Sequence, residues 1–98
     1  MKSEETNHGP NDEQQIEDYW KLLGDCIRQR RLKLGLSQEQ LAKAARISRT
    51  EQQYIEGATR RPKMDTLQRC CQGLGISLIE LLAEVDRCQL ERLRYRRS

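Results

Sequence analysis

The sequence predicts an all-α protein, and three observations support this prediction. Apolar residues recur every three or four positions along most of the chain, which is the spacing of an amphipathic helix. Three serines are each followed three residues later by Gln or Glu, the capping-box pattern of a helix start, and these are Ser37, Ser48 and Ser77. No segment alternates apolar and polar residues as a half-buried strand does. We therefore expect short helices joined by tight turns.

The N-terminal segment predicts a tail followed by a helix. Residues 1–11 are polar and contain Gly-Pro, so we expect a disordered tail. Residues 12–22 are expected to form an N-terminal helical extension, with Asn11 or Asp12 as its cap. Gly24 interrupts the apolar pattern that continues after this extension. It predicts either a kink or a break between the extension and the first helix of the core domain.

The central part of the chain, residues 23–82, predicts a domain of short helices. Capping serines, glycines and prolines mark their limits. After the first helix, we expect helices at 37–44, at 48–56 with Gly57 as the stop, after Pro62, and after Ser77. Residues 83–98 continue the last of these as a C-terminal helical extension with a basic end.

The charge is distributed unevenly along the chain. Residues 1–20 contain one lysine and six acidic residues and so have a net charge of −5. Because the whole chain has a net charge of +3, residues 21–98 have a net charge of +8. A strongly basic body indicates an anionic partner, nucleic acid before an acidic membrane surface. No apolar run is long enough to span a membrane, and the N-terminus lacks the apolar centre of a signal peptide. We expect a cytoplasmic protein with no membrane partner.

The cysteines do not have the spacing of a metal site. Cys26, Cys70, Cys71 and Cys88 form no CxxC pair, and the single histidine, His8, lies in the polar tail. We expect no metal and no cofactor. Cys70 and Cys71 are interpreted as small buried hydrophobic residues in a reducing compartment, with a redox switch as the alternative. The chain also lacks a nucleophile–base pair and a phosphate loop, so we do not expect an enzyme.

Residues 23–82 read LGDCIRQRRLKLGLSQEQLAKAARISRTEQQYIEGATRRPKMDTLQRCCQGLGISLIELL. This stretch resembles the lambda-repressor-like, or Xre-type, helix-turn-helix DNA-binding domains, and the resemblance covers 60 of the 98 residues. It implies a five-helix bundle whose third helix, about residues 48–56, enters the major groove of an operator. The function implied is sequence-specific transcriptional regulation, by repression, at the bacterial nucleoid.

The resemblance also implies which residues read the bases. The matching positions are Arg49, Thr50, Gln53 and Tyr54. Long polar side chains on one helix face offer donors and acceptors that reach base edges, whereas the alternative is an ordinary solvated face. The sequence departs from the family pattern at two positions, since Arg46 replaces the usual turn glycine and Gln52 replaces a usually buried isoleucine. The first predicts a strained or reshaped turn, and the second leaves the rotation of the recognition helix open.

Phosphate contacts are expected around this helix. The candidates are Gln38, Ser48, Arg60, Arg61 and Lys63. Gln38 matches a family position that lies against the DNA backbone, and a helix N-terminus itself attracts a phosphate. The three cations are expected to add affinity without sequence information. Their alternatives are plain helix surface, a cap that bonds only its own helix, and a solvated loop.

The two extensions are too apolar to be idle tails. We expect Trp20, Val85, Leu90 and Leu93 to form a homodimer interface, because operators are commonly two-fold symmetric. The alternative is that the extensions pack against each other within one chain. A second function class is an antitoxin, which would bind a toxin protein through the extensions as well as its own operator.

Overall fold

The computed structural model describes residues 10–97, which form five helices and, within that range, no strand. These are α1 (Pro10–Lys33), α2 (Gln38–Ala45), α3 (Arg49–Gly57), α4 (Met64–Leu74) and α5 (Leu78–Arg97). The predicted all-α, five-helix fold is confirmed. No helix in the described part is both long and apolar enough to cross a membrane.

One small core joins all five helices. Helix α1 packs against α3 and α5, while α2 packs against α3 and α4. All five helices contribute side chains with almost no exposed surface. The polar α3 supplies Ile55 and Gln52, and the other helices supply, among others, Leu23, Ile27, Leu41, Cys70, Cys71, Leu81 and Val85. Burying a Leu or Ile side chain contributes about 1.5–3 kcal/mol, so these few residues hold the fold together.

The N-terminal extension and the first core helix are one continuous helix. Helix α1 begins at Pro10, which suits the first turn because proline has no N–H to leave unpaired there. The expected caps at Asn11 and Asp12 are therefore wrong, as is the end of the predicted tail at residues 10–11; residues 1–9 of that tail lie outside the described residues. Of the two alternatives at Gly24, a kink or a break, the break is wrong because α1 runs through Gly24 to Lys33.

Gly24 has a packing role instead. A Cβ added to Gly24 would lie 2.6 Å from the carbonyl oxygen of Ile55 and 2.7 Å from that of Glu56. Both are backbone atoms of the last turn of α3, which cannot rotate away as a side chain would. Gly24 thus allows the backbone of α3 to lie directly on α1.

All three predicted capping boxes form. Ser37 and Ser48 cap α2 and α3, and Ser77 makes the same pair of hydrogen bonds with Glu80 at the start of α5. Because each serine is the cap itself, α2 and α3 start one residue later than predicted, whereas α5 starts directly after Ser77 as predicted. The stop at Gly57 is wrong by one residue, since Ala58 adopts the left-handed conformation (φ 54°) that ends α3.

Arg46 ends α2 in the left-handed conformation, with φ 60° and ψ 42°. The strained-turn alternative is therefore the correct one. A non-glycine residue in this region costs roughly 1–2 kcal/mol. Its N–H donates to the carbonyl oxygens of Ala42 and Lys43, and the next N–H, of Ile47, also donates to the Ala42 carbonyl oxygen.

The four cysteines are free thiols, and three of them are buried in the core. Cys26, Cys70 and Cys71 are buried and Cys88 is half-buried. Burial, followed by nearby Glu84 and Cys88, raises the pKa of Cys26 to about 12. Burial also raises the pKa of Cys70 to about 12. Both thiols are therefore protonated at neutral pH, which supports their interpretation as small hydrophobic residues. Among the described residues, no group of three or more His, Cys, Asp or Glu side chains could hold a metal ion.

Candidate nucleic-acid interface

The outer face of α3 carries the side chains that the sequence predicted to read bases. Arg49, Thr50 and Gln53 are exposed and Tyr54 is half-buried. Positions 49 and 53 lie one helical turn apart, as do positions 50 and 54, so the four residues form one continuous strip. The structure thus brings all four predicted base-contacting residues together on one side of α3.

The rotation of α3 is fixed by a buried glutamine. Gln52 has no exposed surface. Its Nε2 donates to Oε2 of Glu56 at 2.7 Å, and its Oε1 accepts a hydrogen bond from Sγ of Cys70 at 3.6 Å. A polar residue is stable at this depth only because its amide group has partners on both sides. Gln52 is therefore buried although it stands where the family pattern has an apolar residue, and the strip from Arg49 to Tyr54 lies on the opposite, outer side of α3.

A buried ion pair lies behind the same helix. Arg31 of α1 donates to Glu56 from Nε at 2.8 Å and from Nη2 at 2.9 Å, which is a two-point contact. Glu56 also accepts from Gln52 and, at 3.2 Å, from Nε2 of Gln38. Burial alone would raise the pKa of Glu56, but hydrogen bonds from Arg31, Gln52 and Gln38 and the charge of Arg31 hold the pKa below its ordinary value. Glu56 is therefore ionised at neutral pH.

Sequence reasoning missed Arg31 and Glu56. The helical spacing could have predicted them. Arg31 follows the apolar Ile27 by four positions and Glu56 follows Gln52 by four, so each charged residue shares a helix face with a residue expected in the core. Arg31 also donates from Nη1 to the carbonyl oxygen of Leu36 at 2.7 Å. It thereby ties α1 to the segment that leads into α2 as well as to α3.

Two of the predicted phosphate contacts are residues at helix N-termini. Gln38 starts α2, and its side chain is held by Glu56 rather than extended into solvent. Ser48 caps α3: its Oγ accepts from the Glu51 N–H at 3.0 Å, and its own N–H donates to Oε1 of Glu51 at 2.9 Å. Both side chains bond within the protein, so only the remaining donors are available to a ligand.

The loop between α3 and α4 carries the three predicted cations. The Arg60 guanidinium lies 4.7 Å from the centre of the Tyr54 ring, which joins this loop to the recognition strip. The Arg61 guanidinium lies 5.0 Å from the centre of the Trp20 ring and forms an ion pair with Glu17. Lys63 is the exposed N-cap residue of α4. All three cations line a cleft of about 390 Å³ between α3, the loop and α4, together with Arg69, which sequence reasoning did not single out.

The residues predicted to form a dimer interface have different environments. Val85 has no exposed surface because it packs into the core, so it cannot contact another subunit and this assignment is wrong. Trp20 is half-buried beneath Arg61, Leu93 is half-buried, and Leu90 is 53% exposed. The extensions pack against each other through α1 and α5, as the alternative expected, for example where Nε2 of Gln89 donates to the Gln15 carbonyl oxygen at 3.3 Å.

Helices α2 and α3 are short, capped and joined by a tight turn. The outer face of α3 is polar, and three further helices support the pair. This arrangement defines a helix-turn-helix DNA-binding domain. Comparison with known families agrees, because the family described as "Helix-turn-helix domain" matches residues 22–85. The chain therefore belongs to the helix-turn-helix family of transcriptional regulators. This confirms the family predicted from residues 23–82.

Individual relatives support the same assignment. The chain is 32% identical over 69 residues to the HTH-type transcriptional regulator y4dJ of Sinorhizobium fredii, a match that covers 70% of this chain and 90% of the relative. Among solved structures, it resembles the wild-type restriction-modification controller protein C.Esp1396I, with a TM-score of 0.69, 25% identity, and coverage of 74% of this chain and 95% of that chain. It also resembles the clp gene regulator ClgR of Corynebacterium glutamicum, with a TM-score of 0.64, 26% identity, and coverage of 71% and 91%.

One further solved structure shows a relative on DNA. It is a point mutant of C.Esp1396I bound to its highest-affinity operator site. The chain matches that protein with a TM-score of 0.68 and 25% identity, over 74% of this chain and 95% of the other.

Proposed function

We propose that the chain is a sequence-specific, double-stranded DNA-binding repressor that inserts α3 into the major groove of its operator. The observation that supports this proposal most strongly is the strip of Arg49, Thr50, Gln53 and Tyr54 on the outer face of α3. Its direction is fixed from behind by Gln52 and by the Arg31–Glu56 pair. A major groove about 12 Å wide admits one α-helix, and the strip is the only part of α3 that would face the bases.

The chemistry of the strip suggests a role for each member. Arg49 can donate two hydrogen bonds to a guanine edge, and Gln53 can exchange two with an adenine edge. The methyl group of Thr50 suits a thymine methyl. Tyr54 has one ring face covered by Arg60, so its proposed base contact is through the remaining edge and hydroxyl.

Phosphate contacts are proposed on both sides of the groove. The N-termini of α2 and α3, at Gln38 and Ser48, offer backbone N–H groups and the positive ends of two helix dipoles. Arg60 and Lys63 add cations from the loop, and neither forms an ion pair with a carboxylate of the described residues. These contacts hold the domain on any DNA sequence, which leaves discrimination to α3.

The loop cations lead to a prediction about salt. Arg60→Ala and Lys63→Ala should each weaken binding to operator and random DNA alike, and each should reduce the slope of log affinity against log salt by about 0.9 for one lost phosphate contact. Filter binding or fluorescence anisotropy across a salt series measures both quantities. Arg87→Ala is the control. Arg87 is an exposed cation on α5, a helix that packs on α1 and α4, so its removal should leave the slope unchanged. Unchanged slopes for Arg60→Ala and Lys63→Ala would remove the loop from the interface.

We also propose that the protein binds as a homodimer, and that it acts in the bacterial cytoplasm at the nucleoid, without enzymatic activity. With Val85 buried, Trp20, Leu90 and Leu93 remain of the predicted dimer interface. Beside them lies an open groove of about 610 Å³ between α1 and the end of α5, lined in part by Leu22, Cys88 and Tyr95. A symmetric dimer would place its two recognition helices about 34 Å apart, which is one turn of DNA.

Selection of DNA from a random pool, combined with measurement of the mass in solution, tests this function. The expected result is one enriched motif with two-fold symmetry, half-sites about one helical turn apart, and a complex containing two chains. Recovery of no enriched motif, with binding equal on all sequences, would contradict sequence-specific regulation. A monomer bound to a single half-site would contradict only the dimer.

A further inference from the structure

The N-terminal half of α1 contacts the DNA-binding loop through one arginine. Glu17 and Trp20 lie three residues apart and therefore on one face of α1. Arg61 reaches across to both: its Nη2 bonds Oε1 of Glu17, and its guanidinium lies 5.0 Å from the centre of the Trp20 ring. The three side chains line a cleft of about 180 Å³ together with Arg60. The acidic N-terminal half of α1 thus contacts Arg61, which was predicted from the sequence to bind a DNA phosphate.

Arg60 has an aromatic contact similar to that of Arg61 but no acidic partner among the described residues. It is the chain neighbour of Arg61 and also lies over an aromatic ring, that of Tyr54 at 4.7 Å. No carboxylate of the described residues forms an ion pair with it. The two arginines therefore have similar aromatic supports and differ in charge compensation, because only Arg61 already has an anion.

We propose that Glu17 occupies Arg61 in place of a DNA phosphate, so that the acidic first half of α1 limits the affinity of the loop for DNA. This inference rests on the proposed function, since it assigns a restraint to the same surface. Glu17 is then an internal competitor, and Trp20 is a positioning residue that holds the guanidinium beside it. Arg60 and Lys63 remain open to phosphate.

The electrostatics of this half of α1 support the competition. A carboxylate and a phosphate oxygen accept the same N–H donors of an arginine, so an intact Glu17–Arg61 pair releases few counterions when DNA arrives. Glu13 lies four residues before Glu17, on the same face, and lines a neighbouring crevice with Arg61. DNA that approaches Arg61 therefore meets two carboxylates, which repel its phosphates. Both side chains of the pair are about half exposed, so the exchange requires no unfolding.

Four variants test the competition. Glu17→Gln removes the charge and keeps the shape, and Arg61→Ala is made in both the parent and the Glu17→Gln backgrounds. Glu91→Gln, an exposed acidic residue of α5, makes the same change of net charge without touching Arg61. Affinity for random-sequence DNA and its salt slope are measured for each variant.

We expect Glu17→Gln to tighten binding to random DNA about two- to fivefold, the range that an exposed ion pair represents, and to steepen the salt slope by about 0.9. Arg61→Ala should change the slope little in the parent and lower it by about 0.9 in the Glu17→Gln background. Glu91→Gln should have a much smaller effect. Equal or weaker binding by Glu17→Gln would overturn the proposal, as would equal tightening by Glu91→Gln.

A measurement without DNA separates this proposal from the proposed function. The Nε–H resonance of Arg61 is followed by NMR during titration with inorganic pyrophosphate. It should shift at lower pyrophosphate concentration in Glu17→Gln than in the parent, whether or not the protein is a regulator. Identical titration curves would overturn the competition at Arg61. Absence of DNA binding by every variant, with the two curves different, would overturn the proposed function instead.

Discussion

Glu56→Gln is expected to lower the free energy of unfolding by about 3–5 kcal/mol, because it leaves the buried Arg31 charge without its counterion. The side chains of Arg31 and Glu56 are only 9% and 3% exposed, so water cannot replace the lost partner. The substitution also weakens the acceptor for Gln38 and Gln52, whose amides both donate to Glu56. Chemical denaturation followed by circular dichroism measures the change.

A second ion pair between helices is the matched control. Arg30, the chain neighbour of Arg31, pairs with Glu84 of α5, and these side chains are 33% and 22% exposed. Glu84→Gln should therefore cost only about 1 kcal/mol or less, since solvent screens the unpaired arginine. An equal loss for Glu84→Gln and Glu56→Gln would show that burial of the pair is not what makes it important.

The pH dependence of the free energy of unfolding should distinguish the parent protein from Glu56→Gln. Because the pKa of Glu56 is lower in the folded state than in the unfolded chain, its stabilisation is fully present above the ordinary carboxyl pKa. That stabilisation is lost as the pH falls through the lowered folded pKa, where the carboxylate is protonated. The parent should thus lose this contribution in acid, and Glu56→Gln should lack it at every pH.

Gly24→Ala has the second-largest expected effect. In an ordinary helix interior this change stabilises by about 1 kcal/mol. Here the new methyl group would meet two backbone oxygens of α3 at 2.6 and 2.7 Å, so α1 and α3 must separate. We expect a net loss of about 1–3 kcal/mol, the usual cost of overpacking, together with weaker DNA binding because α3 is displaced.

Gly57→Ala is the control for Gly24→Ala. Gly57 is also a helical glycine, but the nearest atom to an added Cβ is Cγ2 of Thr59 at 3.8 Å. The change should therefore be neutral or stabilise by up to about 1 kcal/mol. Thermal denaturation and operator binding are measured for both variants. A Gly24→Ala protein as stable as Gly57→Ala would contradict the close contact between α1 and α3.

Local signals in the sequence predicted most of the fold. A serine followed three residues later by Gln or Glu is a complete hydrogen-bonding unit, so Ser37, Ser48 and Ser77 marked three helix starts correctly. The resemblance to a known family supplied the base-reading candidates on α3, and helical spacing explains why these four residues share one face. Gly24 was misread because a glycine's effect on a helix depends on what packs against it. That partner, the last turn of α3, is about thirty residues away in the sequence.

The remaining differences have the same origin in long-range contacts. Arg31 and Glu56 look like surface residues until α1 and α3 are brought together, and Val85 looks available until α5 packs on α1. The Arg61–Glu17 contact spans 44 residues, and no local pattern links an acidic extension to a basic loop. Helix identity is therefore encoded locally in this chain, whereas charge compensation and burial are encoded by pairs of distant residues.

The most direct test of the central claim, that the outer strip of α3 reads bases, is the affinity of Arg49→Ala for the selected operator and for random DNA. A base contact predicts a loss of about 1–3 kcal/mol on the operator and a much smaller loss on random DNA, so the specificity ratio falls. Gln53→Ala should relax preference at a different base pair of the same half-site. An equal loss on both DNAs would mean that Arg49 contacts phosphate, and no loss on either would mean that the strip only faces solvent. Either result would contradict insertion of α3 into the major groove as proposed.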